Sequence, residues 1–592
     1  MRRVLPYLAA VAAATVTTLV AYLVVPPHGA AAPAVTHGPC TTTPIGLTVA
    51  VSPEKRDIMT SLTARYNAAS RLFDGRCARV GVFAEASGQT MAALAKPWDP
   101  QRHAGNAMPQ VWIPASSAWI ELLGPRPVDL DRAGRAPSIA RSPLVLAVPE
   151  RVAADLGGKI SWSDVLSFVT ARPGWSRDHP EWGTFKLGKT NPNYSTSGLH
   201  ATIATYEAVA AARGLPVNQS TVDSPQVRGG VGTAERAVVH YGETTLSFLT
   251  NLANADAQGR EANYMTAVAV EEKSVYDYNS GRPDGDLTRP PGPVPHERLV
   301  ALYPSDGTLV SDNPYAILPS ATGDQRAAAR DFQRFLLERP QQDAFRAVGM
   351  RGADGRLAPN LSGTRADATI RELPLPASAV LSRILDSWKV LRKPARVLLA
   401  LDVSGSMGDD PYDPNAQPAP GHTKLDLVKA AATRALDLFS PQDEVGLWSF
   451  SGDRNTGRGA HTEQVPVGRF DAALLRSRIG ALQPQLSTAL YTTIRDGYDT
   501  LAPGAGPDTI TALVVLTDGH NEWDPDNDLG ALRQHIDASG REYPVRVFTV
   551  AYGHDADSET LKGIARSAAG WEYDATDPRS IEQVLSNVIS NF

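Results

Sequence analysis

The chain has 592 residues, 42% of them hydrophobic and 20% charged, which fits packed globular protein and excludes a disordered chain, a coiled coil or a collagen-like fibre. At about 100–200 residues per domain, two to four domains are expected. Fifty-seven basic against 63 acidic residues give a net charge of −6, so no polycationic field exists for nucleic acid, and two cysteines are too few for a Cys-based zinc or iron–sulfur site.

Arg2 and Arg3 precede residues 4–25, a run without a single charge. It is long enough to cross the roughly 30 Å hydrocarbon core and longer than the usual apolar stretch of about 7–15 residues in a cleaved signal. Residues 1–25 are therefore expected to be a signal anchor, with positive charge kept inside and everything after Pro26 outside the cytoplasm. This predicts a single-pass cell-membrane protein whose domains are extracytoplasmic. Ala32-Pro33-Ala34 offers a cleavage site, and a secreted form is the alternative. Both readings export the chain, and two cysteines in an oxidising compartment read as one disulfide, Cys40–Cys77.

Residues 26–45 are rich in Pro, Ala and Thr and read as a linker. A first domain, 46–365, opens with a strand at 47–51 and a helix at 54–70 that puts Ile58, Leu62, Tyr66 and Ala69 on one face. Strands follow at 80–84, 110–113 and 144–148, the last uniformly apolar, as a strand covered on both faces should be. The pattern loosens between 215 and 300, then recovers with a strand at 299–303 and a helix at 323–348. Residues 366–394 read as a linker and helix behind a Gly/Pro/Arg-rich boundary. The second domain, 395–592, alternates strands at 397–403, 445–450, 512–517 and 545–551 with helices, which predicts a doubly wound α/β fold.

Directly after the first strand of that second domain stands Asp402-Val403-Ser404-Gly405-Ser406. Ser487-Thr488 opens a later helix, and Thr517-Asp518-Gly519 closes another apolar strand. Ligands of doubly wound sheets bind beyond the carboxyl ends of the strands. Oxygen donors from three such loops suit a small hard cation, Mg²⁺ with Mn²⁺ or Ca²⁺ as substitutes. Any one of these residues alone would read as a helix cap. With these residues, 395–592 resembles a von Willebrand factor A domain carrying a metal-ion-dependent adhesion site. The resemblance implies that Ser404, Ser406 and Thr488 ligate the metal directly, and Asp402 and Asp518 directly or through water. It also implies that the cation accepts an acidic residue of a partner protein, which is binding chemistry. The Pro/Asp-rich stretch 408–422 departs from the family and reads as a solvated loop beside the site. Asp524-Pro525-Asp526-Asn527-Asp528 has the acid spacing of a calcium loop but lacks its Gly and distal Glu, so helix capping is expected there.

Residues 183–190 match the phosphate-loop pattern G-x-x-x-x-G-K-T by letter. No strand precedes them and Pro192 bars an immediate helix, so no nucleotide is expected. The stretch continues into Ser195-Thr196-Ser197-Gly198, a hydroxyl cluster ahead of a helix at 199–213 and a ready site for a polar or anionic group. Together with the segments 109–114 and 303–309, it makes residues 46–350 resemble type II periplasmic binding proteins. The resemblance places a small polar or anionic solute between two lobes, with Ser116, Ser117, Ser142, Ser195, Thr196, Ser197 and Tyr276 as candidate ligands. His200, His240 and His520 form no spaced cluster.

The resulting expectation is an exported, membrane-anchored binding protein with a solute-receptor domain and a metal-dependent protein-binding domain. No nucleophile–base–orienter set points to an enzyme. The alternatives are the solute-binding component of an ABC transporter, a metal-dependent hydrolase, and a chelatase-type subunit.

Overall fold

A computed structural model describes residues 36–592 apart from 39, 41–42, 74, 104, 125–134, 171–174, 176–179, 414, 453–458 and 486. The expected anchor at 1–25 lies outside the described residues. Among the described residues no helix is long and apolar enough to cross a membrane.

Among the described residues three sheets organise the fold. In the first lobe, strand Ile45–Val51 runs parallel to Arg76–Ala84 and Val111–Ile113. Ile58, Met59, Leu62 and Tyr66 of helix Arg56–Ala68 bury against Leu47, Val49 and Val51, as the 3.6-residue spacing requires. The second lobe centres on strand Ala140–Pro149. Its alternate residues feed two cores, with Leu144, Leu146 and Val148 on one face and Val145 and Ala147 on the other. The chain recrosses to the first lobe where Val310–Ser311 pairs antiparallel with Ser142–Pro143.

Two stretches differ from the sequence reading. The helix expected over 323–348 is two helices, Gly323–Leu337 and Arg339–Ala347. Glu338 turns extended (ψ 150°), because in one continuous helix Pro340 would have no N–H to give the Leu336 carbonyl and its ring would clash with that carbonyl, whereas in the first turn of a new helix it is tolerated. The loosened stretch 215–300 is regular: helices Pro225–Arg236, Thr245–Asp256 and Glu272–Asn279 alternate with strands Val238–Gly242 and Ala267–Glu271. Their buried stripes contain Ala, Gly, Thr and Asp, which blur the apolar period.

The third sheet has Ala395–Asp402 at its centre, parallel to Glu444–Phe450 and Ile510–Thr517. Its antiparallel edge strand, His461–Arg469, escaped the sequence reading because Pro466 and exposed polar residues mark a strand bonded on one side only. Between the domains, helix Ser378–Leu391 inserts Leu381 and Ile384 among Trp119 of the first lobe and Leu199 and Ile203 of the second. The Arg392 guanidinium meets the buried Asp443 carboxylate at 2.5 Å, and the Tyr241 N–H donates to the Asn591 carbonyl at 3.1 Å. One continuous core runs from Leu144 of the second lobe to Phe592.

Cys40 and Cys77 form a disulfide with Cα atoms 5.5 Å apart, across a sequence separation of 37. Closing a loop of that size stabilises by roughly 4 kcal/mol in the chain-entropy model. The double replacement Cys40→Ser/Cys77→Ser is expected to lose most of that in denaturant titration. Equal midpoints for oxidised and reduced protein would contradict it.

Candidate metal centre and solute cleft

Strands Ala395–Asp402 and Ile510–Thr517 end at one sheet edge because their register sets Leu401 beside Leu516. Thr517 Oγ1 donates to Asp402 Oδ2 at 2.5 Å and the Ser404 N–H donates to Oδ1 at 2.7 Å, fixing that carboxylate. Ser406 Oγ donates to Asp518 Oδ1 at 2.8 Å and stands 3.2 Å from Ser404 Oγ. The third loop is tied in by the Gln485 N–H on Val403 O (2.5 Å) and the Glu522 N–H on Thr488 O (2.8 Å). A Cβ placed on Gly519 would lie 3.7 Å from Thr488 Oγ1. All five expected residues therefore meet at this edge. Four are buried and Ser406 is open to solvent.

Sequence reasoning missed Lys424. Its buried ammonium sits 2.8 Å from Asp518 Oδ2, at the start of helix Lys424–Ala435. A lysine in the first turn opposes the helix dipole, and that unfavourable placement was the available signal. Burial first, and the charge of Asp518 second, push Asp402 up to about 7. Two facing carboxylates with one ammonium leave negative charge over, and three hydroxyls complete an all-oxygen donor set. These residues fit a small hard divalent cation.

Between the lobes lies a cavity of about 30 Å³, room for one or two waters, lined by Ser52, Glu54, Ser87, Ser195, Thr196 and Glu271 among others. The first turn of helix Thr196–Ala211 faces it, and Ser195 makes no side-chain cap bond there. Gly198 allows this approach, since a Cβ would sit 2.2 Å from Thr190 O. The other sequence candidates are engaged elsewhere. Ser197 Oγ bonds Thr190 Oγ1 (2.9 Å) and Thr245 Oγ1 (2.7 Å). Ser116 Oγ bonds His200 Nε2 (2.9 Å), and the Ser117 N–H donates to Asp312 (2.7 Å). Ser142 Oγ accepts from the Lys273 N–H at 3.3 Å on the crossover strand. Tyr276 packs its ring against Gly349, away from the cavity. The missed groups are charged: Glu54, Glu271 and the buried Lys55, whose Nζ donates to Asn313 Oδ1 at 2.7 Å and Glu54 Oε1 at 2.9 Å.

A family model for bacterial extracellular solute-binding proteins matches residues 47–351, just over half the chain. The chain belongs to that family. A second model, the von Willebrand factor type A domain, matches residues 397–587. Both expected fold classes are thus present. No curated protein matches the chain. Among solved structures, a von Willebrand factor type A protein from Catenulispora acidiphila is 18% identical, with 34% of this chain and 42% of that one covered and a TM-score of 0.27. The sulfate-binding protein SubI from Mycobacterium tuberculosis H37Rv is 18% identical, covering 53% and 88%, TM-score 0.33. A ferric binding protein from Campylobacter jejuni is 11% identical, covering 58% and 98%, TM-score 0.38. The chain spans less than half the length of the first of these.

Two motifs of this solute-binding and VWA protein are structural. Lys189 of the phosphate-loop look-alike is buried against Glu235 rather than facing a phosphate site. In the acidic loop of the VWA domain, Asp526 takes the Arg495 guanidinium and Asp528 caps helix Leu529–His535. Asp410, in the loop after the candidate site, caps its own turn by accepting the Tyr412 and Asp413 N–H groups.

In the solute-binding domain, burial first and the charge of Glu54 second push Glu271 up to about 7, from an ordinary 4.5. A raised carboxyl pKa means the native state holds its proton longer than the unfolded chain. Its contribution to stability is full below pH 4.5 and is lost as pH rises through about 7. Glu271→Gln should unfold like wild type near pH 4 and at higher temperature above pH 7. A constant difference across that range would refute the assignment.

Proposed function

We propose that this is an exported, membrane-anchored binding protein whose VWA domain holds a partner protein through a divalent cation and whose solute-binding domain receives a small polar or anionic molecule. The observation that carries the first half is the meeting of Asp402, Ser404, Ser406, Thr488 and Asp518 at one sheet edge, with Ser406 exposed. The cation supplies a coordination position for an acidic side chain of the partner. Asp402 is held in place by Thr517 and Ser404. Both carboxylates are engaged by hydroxyls, an amide and Lys424, which supports binding rather than catalysis. Calorimetry of the chain with Mg²⁺ and Mn²⁺, then pull-downs from cell-envelope extract with and without chelator, test it. A partner retained equally in chelator would end the reading.

Delivery of a solute to an ABC permease is the second reading, favoured by the uncapped helix start at the cleft. What distinguishes coupled reception from simple delivery is the last helix, Ile581–Ile589, and the tail behind it. Asn587 Oδ1 accepts from Gln89 Nε2 of the first lobe at 2.8 Å, and Ser590 O accepts from Asn191 Nδ2 of the second at 2.9 Å. The VWA domain therefore bridges both sides of the cleft, and lobe movement would be transmitted to it. Gln89→Ala/Asn191→Ala should uncouple solute addition from any change in partner affinity. Unaltered coupling would favour simple delivery.

A further inference from the structure

A cavity of about 840 Å³ lies where the second lobe meets the VWA domain. It touches Ile510, at the start of the strand whose far end carries Thr517. Seven residues at about 3.3 Å each put it roughly 23 Å from the metal centre. It is also distinct from the 30 Å³ cleft between the lobes.

We propose that this junction cavity binds an amphiphilic organic anion, an acidic headgroup carried on an apolar body. Its lining holds seven lysines and arginines against two carboxylates, Asp508 and Glu542. Three of those cations are nearly inaccessible: Lys186 and Lys393 at 5% exposure and Arg546 at 7%. Among the described residues, no carboxylate stands within ion-pair distance of any of the three. Lys393 Nζ donates to the Val238 carbonyl (3.1 Å), and Arg546 Nη1 to the Ala569 carbonyl (2.7 Å), with its guanidinium 5.5 Å from the ring centroid of Tyr264, a neutral side chain that also interacts with it. Buried charges are ordinarily paired, because leaving water without a counter-ion is costly. Burial lowers Lys186 against the pull of Glu542 and Arg546 against that of Tyr264, and burial, joined by the charge of Arg546, brings Lys393 down to about 8 against the pull of Asp508. A bound anion would supply the missing counter-charge.

The rest of the wall decides the class of anion. Phe168, Val169, Phe185, Ile510 and Pro544 present apolar surface. The volume falls in the range of about 300–1,000 Å³ typical of small-molecule sites. Inorganic phosphate would leave most of it unfilled, and a sugar would leave the apolar wall without a partner. Exposed Arg236, Arg541 and Arg566 at the rim extend the positive field toward solvent. Because both domains build the wall, an occupant would strap the second lobe to the VWA domain.

The test is calorimetry of the full chain with 8-anilinonaphthalene-1-sulfonate, and with N-phenyl-1-naphthylamine, which keeps the rings and lacks the sulfonate. One saturable site is expected for the sulfonate, with the neutral analogue at least tenfold weaker. Lys186→Met and Lys393→Met should each weaken the sulfonate at least tenfold. Each should also raise the unfolding temperature of the ligand-free protein, since an unpaired buried charge is gone, whereas a purely structural lysine would lower it. Arg236, whose side chain bonds Thr233 on its own helix, gives as Arg236→Ser a smaller loss should either variant fail to fold. Asp402→Ala should leave the sulfonate affinity unchanged, separating this site from the metal centre. No saturable binding to wild type, equal affinity for the neutral probe, or unaltered affinity in all three cavity variants would overturn the proposal.

Discussion

Asp402→Ala and Asp518→Ala are each expected to abolish uptake of Mg²⁺ or Mn²⁺ at millimolar concentration while the VWA domain stays folded. Each removes a full negative charge at the sheet edge, and Asp402 is also the acceptor that orients the Ser404 loop. Thr488→Ala removes one neutral oxygen and should weaken the metal roughly tenfold, about 1.4 kcal/mol. Lys424→Met should act the other way. Its ammonium lies 2.8 Å from Asp518 Oδ2 and competes for that oxygen, so its loss should tighten metal binding. It should also lower the stability of the metal-free protein, because two buried carboxylates then face each other unrelieved. The rise in unfolding temperature on adding Mg²⁺ should therefore be larger in Lys424→Met than in wild type. Calorimetry and thermal unfolding with and without chelator read all four variants. Equal metal affinity across them would dismiss the site.

Glu235→Ala is expected to lose about 3–5 kcal/mol, the usual cost of breaking a buried ion pair from one side. Glu235 and Lys189 are each 1% exposed and directly paired. Glu235 also accepts the Tyr241 hydroxyl at 2.6 Å and the Trp388 indole N–H at 3.2 Å, so it joins the second lobe to the connecting helix. Removing it strands one cation and two donors. The double replacement Lys189→Met/Glu235→Leu should recover the part due to the stranded cation and leave the part due to Tyr241 and Trp388. Denaturant midpoints of the single and double variants decide it. A single variant within about 0.5 kcal/mol of wild type, the usual surface range, would show the pair to be unimportant.

Lys189 also shows where sequence reading stops. Its letters fit a phosphate loop, and the missing strand ahead of it was enough to reject a nucleotide. Its partner Glu235, 46 positions away, was not legible, because pairing depends on how two elements pack. The seven candidate cleft residues show the same limit. They were chosen for their hydroxyls, yet only Ser195 and Thr196 line the cavity, while Ser197 and Ser116 spend theirs on Thr190, Thr245 and His200. The charged residues at the cleft, Glu54, Lys55 and Glu271, carry no local mark that separates them from surface charges.

By itself the sequence determined the two fold classes, the main apolar strands of each domain and the five residues at the VWA sheet edge, but not the helices and strands of 215–300 or the edge strand at 461–469. Those features are local: apolar strands recur at short range, and each of the five candidate residues lies within four positions of a strand's end or a helix's start, so chain direction carries it to the sheet edge. Only the tertiary structure decided the placement of Lys424 against Asp518, the closing of the solute cleft to about 30 Å³, and the cluster of unpaired cations at the domain junction. Each depends on residues tens to hundreds of positions apart, and burial, which sets the energy of a charge, is a property of packing that no short window of sequence contains.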